Sequence, residues 1–299
     1  MTAYLPTLRQ LQYLIALHDH GHFGRAAETC FITQSTLSAS LRELETLLGS
    51  TLVERSRRVM RFTPLGLRIV AKARLVLRAA EELADMAQAE REPLTGELRM
   101  AVIPTIAPFL LPPLLPRLRA SYPQLKLFLR EEPSAAACDS LQRGSVDCVL
   151  LAMPFACGDI AHELLFEDRL MVAAAPGEVT EGEVRPEDIN ANRMLLLEDG
   201  HCLKDHALAA CNRPELRASS MMLGTSLHTL VQMVDNKLGV TIVPEMAVSA
   251  GLLLGTQVEA HPLASDDARR DVALIWRQGS PREAEFRLLA DELRRLRSE

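Results

Sequence analysis

Aromatic residues are scarce in this sequence, at 4% of the chain, whereas Leu, Ala and Val are abundant. The core is therefore expected to be aliphatic and rich in helix, and an all-β fold is disfavoured. The chain contains no apolar run of about 18 residues, and residues 1–10 lack a basic start followed by an apolar stretch. We therefore expect a cytoplasmic protein that has no membrane partner.

The six cysteines include no CxxC pair. Because no secretory leader is recognisable either, this usage argues against a disulfide framework and against a zinc ribbon. Any disulfide is expected to be conditional, and neither a metal nor another cofactor is predicted. Cys30 and Cys148 are expected to be small buried core residues. The sequence assigns no role to Cys138 or Cys157.

The charge is unevenly distributed along the 299 residues, a length that suggests two or three domains. The net charge is −6, yet residues 1–66 carry seven Arg against five acidic residues. The remainder of the chain therefore holds the negative charge. A slightly basic front on an acidic body is typical of a small nucleic-acid-binding module attached to another domain.

Three short helices are predicted at the front of the chain, over residues 8–20, 23–30 and 34–48. The link between the second and third is too short for anything but a tight turn, which indicates a helix-turn-helix. Thr33 is a suitable N-cap for the third helix, and Gly49 suits a left-handed C-terminal position. The buried stripe of the third helix is predicted to be Leu37, Leu41, Leu44 and Leu48.

The opposite face of the third helix is polar and has one long cation. Short polar groups near the start of such a helix are the ones that read base edges in the major groove, although a merely solvated face is the alternative. Two strand-like pieces then flank a basic turn and predict a wing, whose arginines would contact phosphates or the minor groove. The predicted DNA-binding residues are Gln34, Ser35, Thr36, Ser38, Arg42, Arg55, Arg57 and Arg58.

A long helix is predicted over residues 65–90, where no Pro or Gly follows Gly66. Apolar residues repeat every seven positions along it, beside a second row of alanines, which is the pattern of a helix seam. We predict that this helix pairs two subunits and sets the spacing of two DNA half-sites. The alternative is a helix packed on its own domain. The two rows are Ile69, Val76 and Leu83, and Ala73, Ala80 and Ala87.

The rest of the chain alternates apolar strands with helices, as in a sheet covered by helices. Residues 97–168 and 270–299 are predicted to form one lobe, and residues 169–269 a second. Ligands in such folds bind at the carboxyl ends of strands, between lobes. Thr105, Ser134 and Arg277 are predicted to border one cleft by this rule. Predicted strands are 98–103, 125–129, 146–153, 170–174, 194–197, 240–243 and 272–276, with helices at 108–122 and 281–297.

The front of the chain resembles the DNA-binding domain of LysR-type transcriptional regulators over its whole length. The resemblance rests on the recognition helix TQSTLSASLRELE, the turn LGSTLVERSRR and the exit FTPLG. It implies an α/β protein with a winged helix-turn-helix over residues 1–64, a dimerisation linker helix over 65–92 and a two-lobed, periplasmic-binding-protein-like regulatory domain over 93–299. It further implies double-stranded DNA and RNA polymerase as partners and a homodimer or homotetramer.

The segment LEDGHCLKDHALAAC, residues 197–211, resembles the redox segment of the hydrogen-peroxide sensors within this family. The resemblance implies that Cys202 reacts with peroxide and that Cys211, nine positions later, resolves the product as a disulfide. It also implies peroxide-pocket roles for side chains elsewhere in the chain. Lys204 departs from the family's Arg, so it keeps the charge but loses the planar fork. The implied pocket residues are His201, Thr105, Ser134 and Arg277.

The residues of this segment support the same chemistry. Cys202 falls at the predicted start of a helix, whose dipole favours the thiolate that attacks peroxide. His201 and Lys204 add donors or positive charge, and Asp205 could orient one of them. If residues 203–210 are helical, the Cα atoms of the two cysteines are roughly 13 Å apart. A disulfide needs about 7 Å or less, so closing it must unwind the segment.

Three other interpretations remain open. A LysR-type regulator could bind a small metabolite in the same cleft, with the cysteines incidental. The chain could be a thiol peroxidase, although the DNA-binding module makes an enzyme the disfavoured interpretation. Cys202 and His206 are spaced i, i+4 with Cys211 nearby, which would suit metal binding, but no further cluster completes four ligands.

Overall fold

The computed structural model describes residues 5–55, 60–89, 94–179, 182–213 and 223–298. The chain divides into two compact units, residues 1–88 with 143–145, and residues 89–142 with 146–299. The predicted domain boundaries remain predictions. Within the described residues, none of the helices has both the length and the apolarity needed to cross a membrane.

The first unit is a winged helix-turn-helix followed by a long helix. Helices α1 (Leu8–His20), α2 (Phe23–Thr29) and α3 (Gln34–Leu48) precede strands β1 (Val53–Arg55) and β2 (Met60–Phe62), which pair antiparallel as the wing. Helix α4 (Pro64–Ala89) follows.

Local signals in the sequence correctly locate the ends of α3. Thr33 Oγ1 accepts a hydrogen bond from Thr36 N, and Gly49 adopts φ 64°, the left-handed conformation expected of a C-cap. The stripe that faces the core is confirmed for Leu37, Leu41 and Leu44, each of which is buried.

The second unit is a covered sheet with two lobes. In chain order, its elements are β3 (Gly96–Val102), α5 (Ala107–Ser121), β4 (Leu125–Glu131), α6 (Ser134–Gln142), β5 (Cys148–Met153), β6 (Ile160–Ala174), β7 (Met194–Leu197), α7 (Cys202–Ala210), β8 (Leu223–Gly224), α8 (Leu227–Asp235), β9 (Val240–Pro244), α9 (Glu245–Ser249), β10 (Glu259–Pro262), β11 (Arg269–Arg277) and α10 (Glu283–Ser298).

The strands run in the order β4-β3-β5-β11-β6-β9-β7-β8, with β10 also paired to β6. The predicted parallel pairing holds for β3 with β4 and β5, and for β9 with β7. Strand β11 returns to the first lobe as predicted, but it runs antiparallel to both β5 and β6. Strand β6 is longer than the predicted 170–174 because its first half pairs with β11 and its last residues pair with β9 and β10.

Each lobe has its own aliphatic core. The first packs β3, β5 and β11 against α5 and α10, with Trp276 and Phe286 buried at its centre. The second packs β6, β7 and β9 against α7 and α8. Helix α7 begins between them, because Cys202 belongs to the first core whereas Leu203 and Cys211 belong to the second.

Candidate functional site

Residues of the first lobe form hydrogen bonds with the start of helix α7. Gly200, at φ 93°, makes the turn after β7 that leads into the helix. Its carbonyl accepts a hydrogen bond from Ala135 N at 3.1 Å, and Ser134 Oγ accepts one from Cys202 N at 3.1 Å. Ser134 therefore satisfies a backbone donor that helix geometry leaves unpaired. The structure places Ser134 and Cys202 in direct contact, as the sequence predicted for one site.

An arginine that the sequence analysis did not select lies beside this helix start. Arg270, at the beginning of β11, is 1% exposed. Its Nη1 donates to Thr105 Oγ1 at 2.8 Å, its Nη2 donates to the Thr105 carbonyl at 3.1 Å, and its Nε donates to Asp168 Oδ2 at 3.1 Å. The other oxygen of Asp168 accepts a hydrogen bond from Met246 N at 2.9 Å. The predicted residue Thr105 thus belongs to a buried charged network.

The prediction for Arg277 is wrong. Its guanidinium donates to the carbonyls of Leu141 and Val146, at 2.9 and 3.0 Å, at the opposite end of β11 from Arg270. The rule that ligands bind at the carboxyl ends of strands applies to parallel neighbours. Because β11 is antiparallel to β5, its amino end lies where β3 and β5 end. Strand direction therefore places Arg270, not Arg277, in the site.

The Cys202 thiol is buried, with 1% of the residue exposed. Burial raises its pKa, whereas the positive charge of Arg270 and a hydrogen bond with Ser134 act in the opposite direction. The net direction is upward, against the thiolate that the position of Cys202 at the helix start is expected to favour. Desolvation of the charged form outweighs the favourable groups at the helix start.

The remaining predicted residues of α7 are arranged around its first turn. His201 is the N-cap residue and is 8% exposed, and burial lowers its pKa. Lys204 is also buried, and its Nζ binds Asp199 Oδ1 at 2.6 Å. Asp199, which the sequence analysis does not single out, is thus a carboxylate partner of Lys204, and the orienting role suggested for Asp205 stays a prediction. Asp205 acts on Cys202 by raising its pKa.

Cys211 lies at the other end of the same helix, as its C-cap residue, and is 1% exposed. Cys202 and Cys211 are both unbonded, and the nine-residue helix between them corresponds to a separation of roughly 13 Å. Burial raises the pKa of Cys211 to about 11. The helix predicted between the two cysteines is confirmed, so a bond between them requires α7 to unwind.

The structure also contains a disulfide that the sequence did not reveal. Cys138 on α6 is bonded to Cys157 in the loop after β5, with their Cα atoms 5.1 Å apart. Their separation of 19 residues follows no recognised spacing. Of the cysteines expected in the core, Cys148 is buried, whereas Cys30 is partly exposed at the end of α2.

No group of three or more metal-ligating side chains is found in the part of the chain that the structure describes. Cys202 and Cys211 occupy opposite ends of α7, and His206 Nε2 lies 3.0 Å from the carbonyl oxygen of Pro154.

The predicted DNA-reading residues lie along the first half of α3. Gln34, Ser35, Thr36 and Arg42 are exposed and Ser38 is partly exposed. Arg55 ends β1. Arg57 and Arg58 lie outside the described residues, so the wing's part in DNA binding remains a prediction.

Each of the two units matches a known protein-family model. Residues 8–67 match the family described as bacterial regulatory helix-turn-helix protein, lysR family, and residues 91–298 match the LysR substrate binding domain. The chain belongs to the LysR family of transcriptional regulators. Its DNA-binding helix-turn-helix precedes the two-lobed α/β domain.

Several LysR-family proteins resemble the chain over nearly its full length. The HTH-type transcriptional regulator EstR of Acinetobacter baylyi is 40% identical, covering 98% of each chain. The DNA-binding transcriptional dual regulator OxyR of Escherichia coli is 35% identical, covering 96% of this chain and 94% of OxyR. The structure of full-length OxyR from Pseudomonas aeruginosa superposes with a TM-score of 0.79 at 34% identity, covering 97% of this chain and 95% of that one.

Proposed function

We propose that this LysR-family regulator senses hydrogen peroxide through Cys202 and changes its regulation of bound DNA when Cys202 is oxidised. The observation that carries the proposal is the environment of Cys202, a buried thiol that contacts Ser134 and lies near the guanidinium of Arg270. Relatives named hydrogen peroxide-inducible genes activator support it, such as that of Haemophilus influenzae at 37% identity over 92% of this chain.

Peroxide would oxidise Cys202 to a sulfenic acid, and the Cys211 thiol would then condense with it to give a disulfide and water. Because the two cysteines lie at opposite ends of α7, the bond forms only if the helix unwinds. Cys202 packs in the first lobe and Cys211 in the second, so unwinding removes packing from both. We propose that this rearrangement changes the contacts between subunits. Transmitted through α4, that change would alter how the protein binds DNA and contacts RNA polymerase.

The role proposed for α4 rests on its exposed apolar residues. Val76 is 48% exposed and Leu83 is 73% exposed, seven positions apart on the predicted seam. Exposed apolar side chains at heptad spacing would be covered by the same helix of a second subunit.

The test is to map disulfides by peptide mass spectrometry before and after a few equivalents of peroxide, with DNA footprinting of both forms. We expect a rapid Cys202–Cys211 bond that thiols reverse, together with a changed footprint. Cys202→Ser should abolish both changes, whereas the control Cys30→Ser, which alters a cysteine outside the site, should retain them. A Cys202→Ser protein that still responds normally would contradict the mechanism.

A second candidate is a LysR-type regulator that responds to a small metabolite between the lobes. This candidate is supported by the 40% identity to EstR, whose name specifies no peroxide response. The same experiment separates the two functions. If both cysteines stay unbonded after peroxide while the protein binds DNA, the metabolite-responsive regulator becomes the better assignment.

A further inference from the structure

His206 lies one helical turn after Cys202 and is 6% exposed. Its Nε2 lies 3.0 Å from the carbonyl oxygen of Pro154. Because a carbonyl only accepts hydrogen bonds, Nε2 must carry the proton in this contact. The neutral ring therefore presents Nδ1 as an acceptor with no proton of its own.

That acceptor is buried and has no hydrogen-bond partner among the described residues. Buried polar atoms are rarely left unpaired, because a buried acceptor without a donor loses the hydrogen bond that it makes with water in the unfolded chain. Residues spaced i, i+4 on a helix have Cβ atoms about 5–6 Å apart. The unpaired nitrogen thus belongs to a side chain on the same face of α7 as Cys202, one turn further along the helix, and no hydrogen bond joins it to the Cys202 thiol at rest.

We propose that His206 Nδ1 accepts the proton of the Cys202 thiol when Cys202 reacts with hydrogen peroxide. The inference rests on the proposed function and adds a residue to it. A buried thiol that is protonated at rest needs such an acceptor, because the thiolate is the form that attacks. A positioned base of this kind typically accelerates a reaction by about 10²–10⁴-fold.

The proposed step is balanced. The thiol proton passes to Nδ1, Cys202 Sγ bonds to one peroxide oxygen, and the O–O bond breaks. The departing hydroxide takes the proton back from the imidazolium and leaves as water. Sulfur loses two electrons, the peroxide gains them, and the products are Cys202 sulfenic acid, water and neutral His206.

Burial is the largest influence on the His206 ring and favours its neutral form. Burial lowers the pKa of His206 most, the Pro154 carbonyl raises it, and Arg270 lowers it. Asp205 and Asp271 raise it by smaller amounts. At neutral pH the ring is therefore able to accept a proton.

The test measures the rate of sulfenic acid formation in the full chain carrying Cys211→Ser, using a cyclic diketone trap and intact mass. Between about pH 6.5 and 8.5 we expect a nearly constant rate when His206 is present, because the base is already neutral. His206→Gln keeps an amide donor for Pro154 but loses the base. Its rate should be about 100-fold lower at pH 7 and should rise about tenfold per pH unit, following the free thiolate.

The matched control is His261→Gln, since His261 lies on β10 and faces Glu259 at 3.6 Å. It should leave the rate and its pH profile unchanged. A His206→Gln protein with the parent's rate and flat profile would overturn the inference while leaving peroxide sensing intact. If that variant fails to fold, a tenfold rise per pH unit in the parent would overturn it equally. A parent that forms no sulfenic acid would overturn the proposed function as well.

Discussion

The two-lobed domain contains two pairs of cysteines that differ in how sequence distance relates to spatial distance. Cys138 and Cys157 are 19 residues apart, yet the fold brings their Cα atoms to 5.1 Å and they are bonded. Cys202 and Cys211 are nine residues apart, yet a helix separates them and they remain thiols. The first pair links elements of one lobe, whereas the second spans two cores. A bond in the first pair therefore preserves the fold, and a bond in the second must change it.

The largest effect is expected when the positive charge of Arg270, which acts on Cys202 of the second pair, is removed. Arg270→Ala leaves Asp168, whose side chain is fully covered, without the guanidinium that pairs with it. We expect a loss of about 3–5 kcal/mol in the free energy of unfolding, measured by urea titration.

The control for that change is the neighbouring residue. Arg269 pairs with Glu167 at 3.3 Å, and both side chains are largely exposed, at 61% and 49%. Arg269→Ala should therefore cost no more than about 1 kcal/mol. If the two variants lost equal amounts of free energy of unfolding, the buried Arg270 network would contribute no more to stability than the exposed Arg269–Glu167 pair.

The next largest effect concerns the bonded pair. Replacing Cys138 and Cys157 together by Ser removes a cross-link that closes a loop of about 20 residues, and we expect a loss of about 3 kcal/mol. Reductant should lower the melting temperature of the parent and leave that of the double variant unchanged. If reductant affects both proteins alike, the stabilisation does not come from this bond.

The smallest expected effect is a pH dependence of stability that arises from the Cys211 thiol, because the bonded cysteines have no thiol to titrate. Burial raises the pKa of Cys211 to about 11 from an ordinary value of 9.0, so the native state holds its proton more tightly than the unfolded state. The protonated Cys211 thiol therefore makes its full contribution to the free energy of unfolding below about pH 9, and this contribution is lost as pH rises towards 11. In that window the parent should lose about 2–3 kcal/mol more stability than Cys211→Ala, measured by urea titration under reducing conditions. Parallel pH profiles would contradict this.

Much of the fold was predictable because its signals are local. Thr33 and Gly49 mark the ends of α3 through backbone needs that a few neighbouring residues reveal. The position of Cys202 at the start of α7 follows in the same way, from a buried strand, the turn at Gly200 and a helical pattern. These features need no knowledge of the rest of the chain.

The errors concern relations between distant segments. Arg277 and Arg270 both border the apolar run of β11, and only the direction of that strand decides which one reaches Thr105. Arg270 does carry a local signal, since it precedes a buried strand, but only the antiparallel direction of β11 places that end of the strand where β3 and β5 end. The Cys138–Cys157 bond likewise depends on how α6 packs beside the loop after β5, which no spacing in the sequence indicates.

The Cys138–Cys157 bond also makes the redox state of the protein countable. With this bond alone, a thiol-specific label applied to the denatured chain would find four reactive sites, Cys30, Cys148, Cys202 and Cys211. A fully reduced chain would present all six cysteines. A second bond between Cys202 and Cys211 would leave Cys30 and Cys148 alone to react. The number of labels on each molecule in a mass spectrum would therefore record how many of its two cysteine pairs are oxidised.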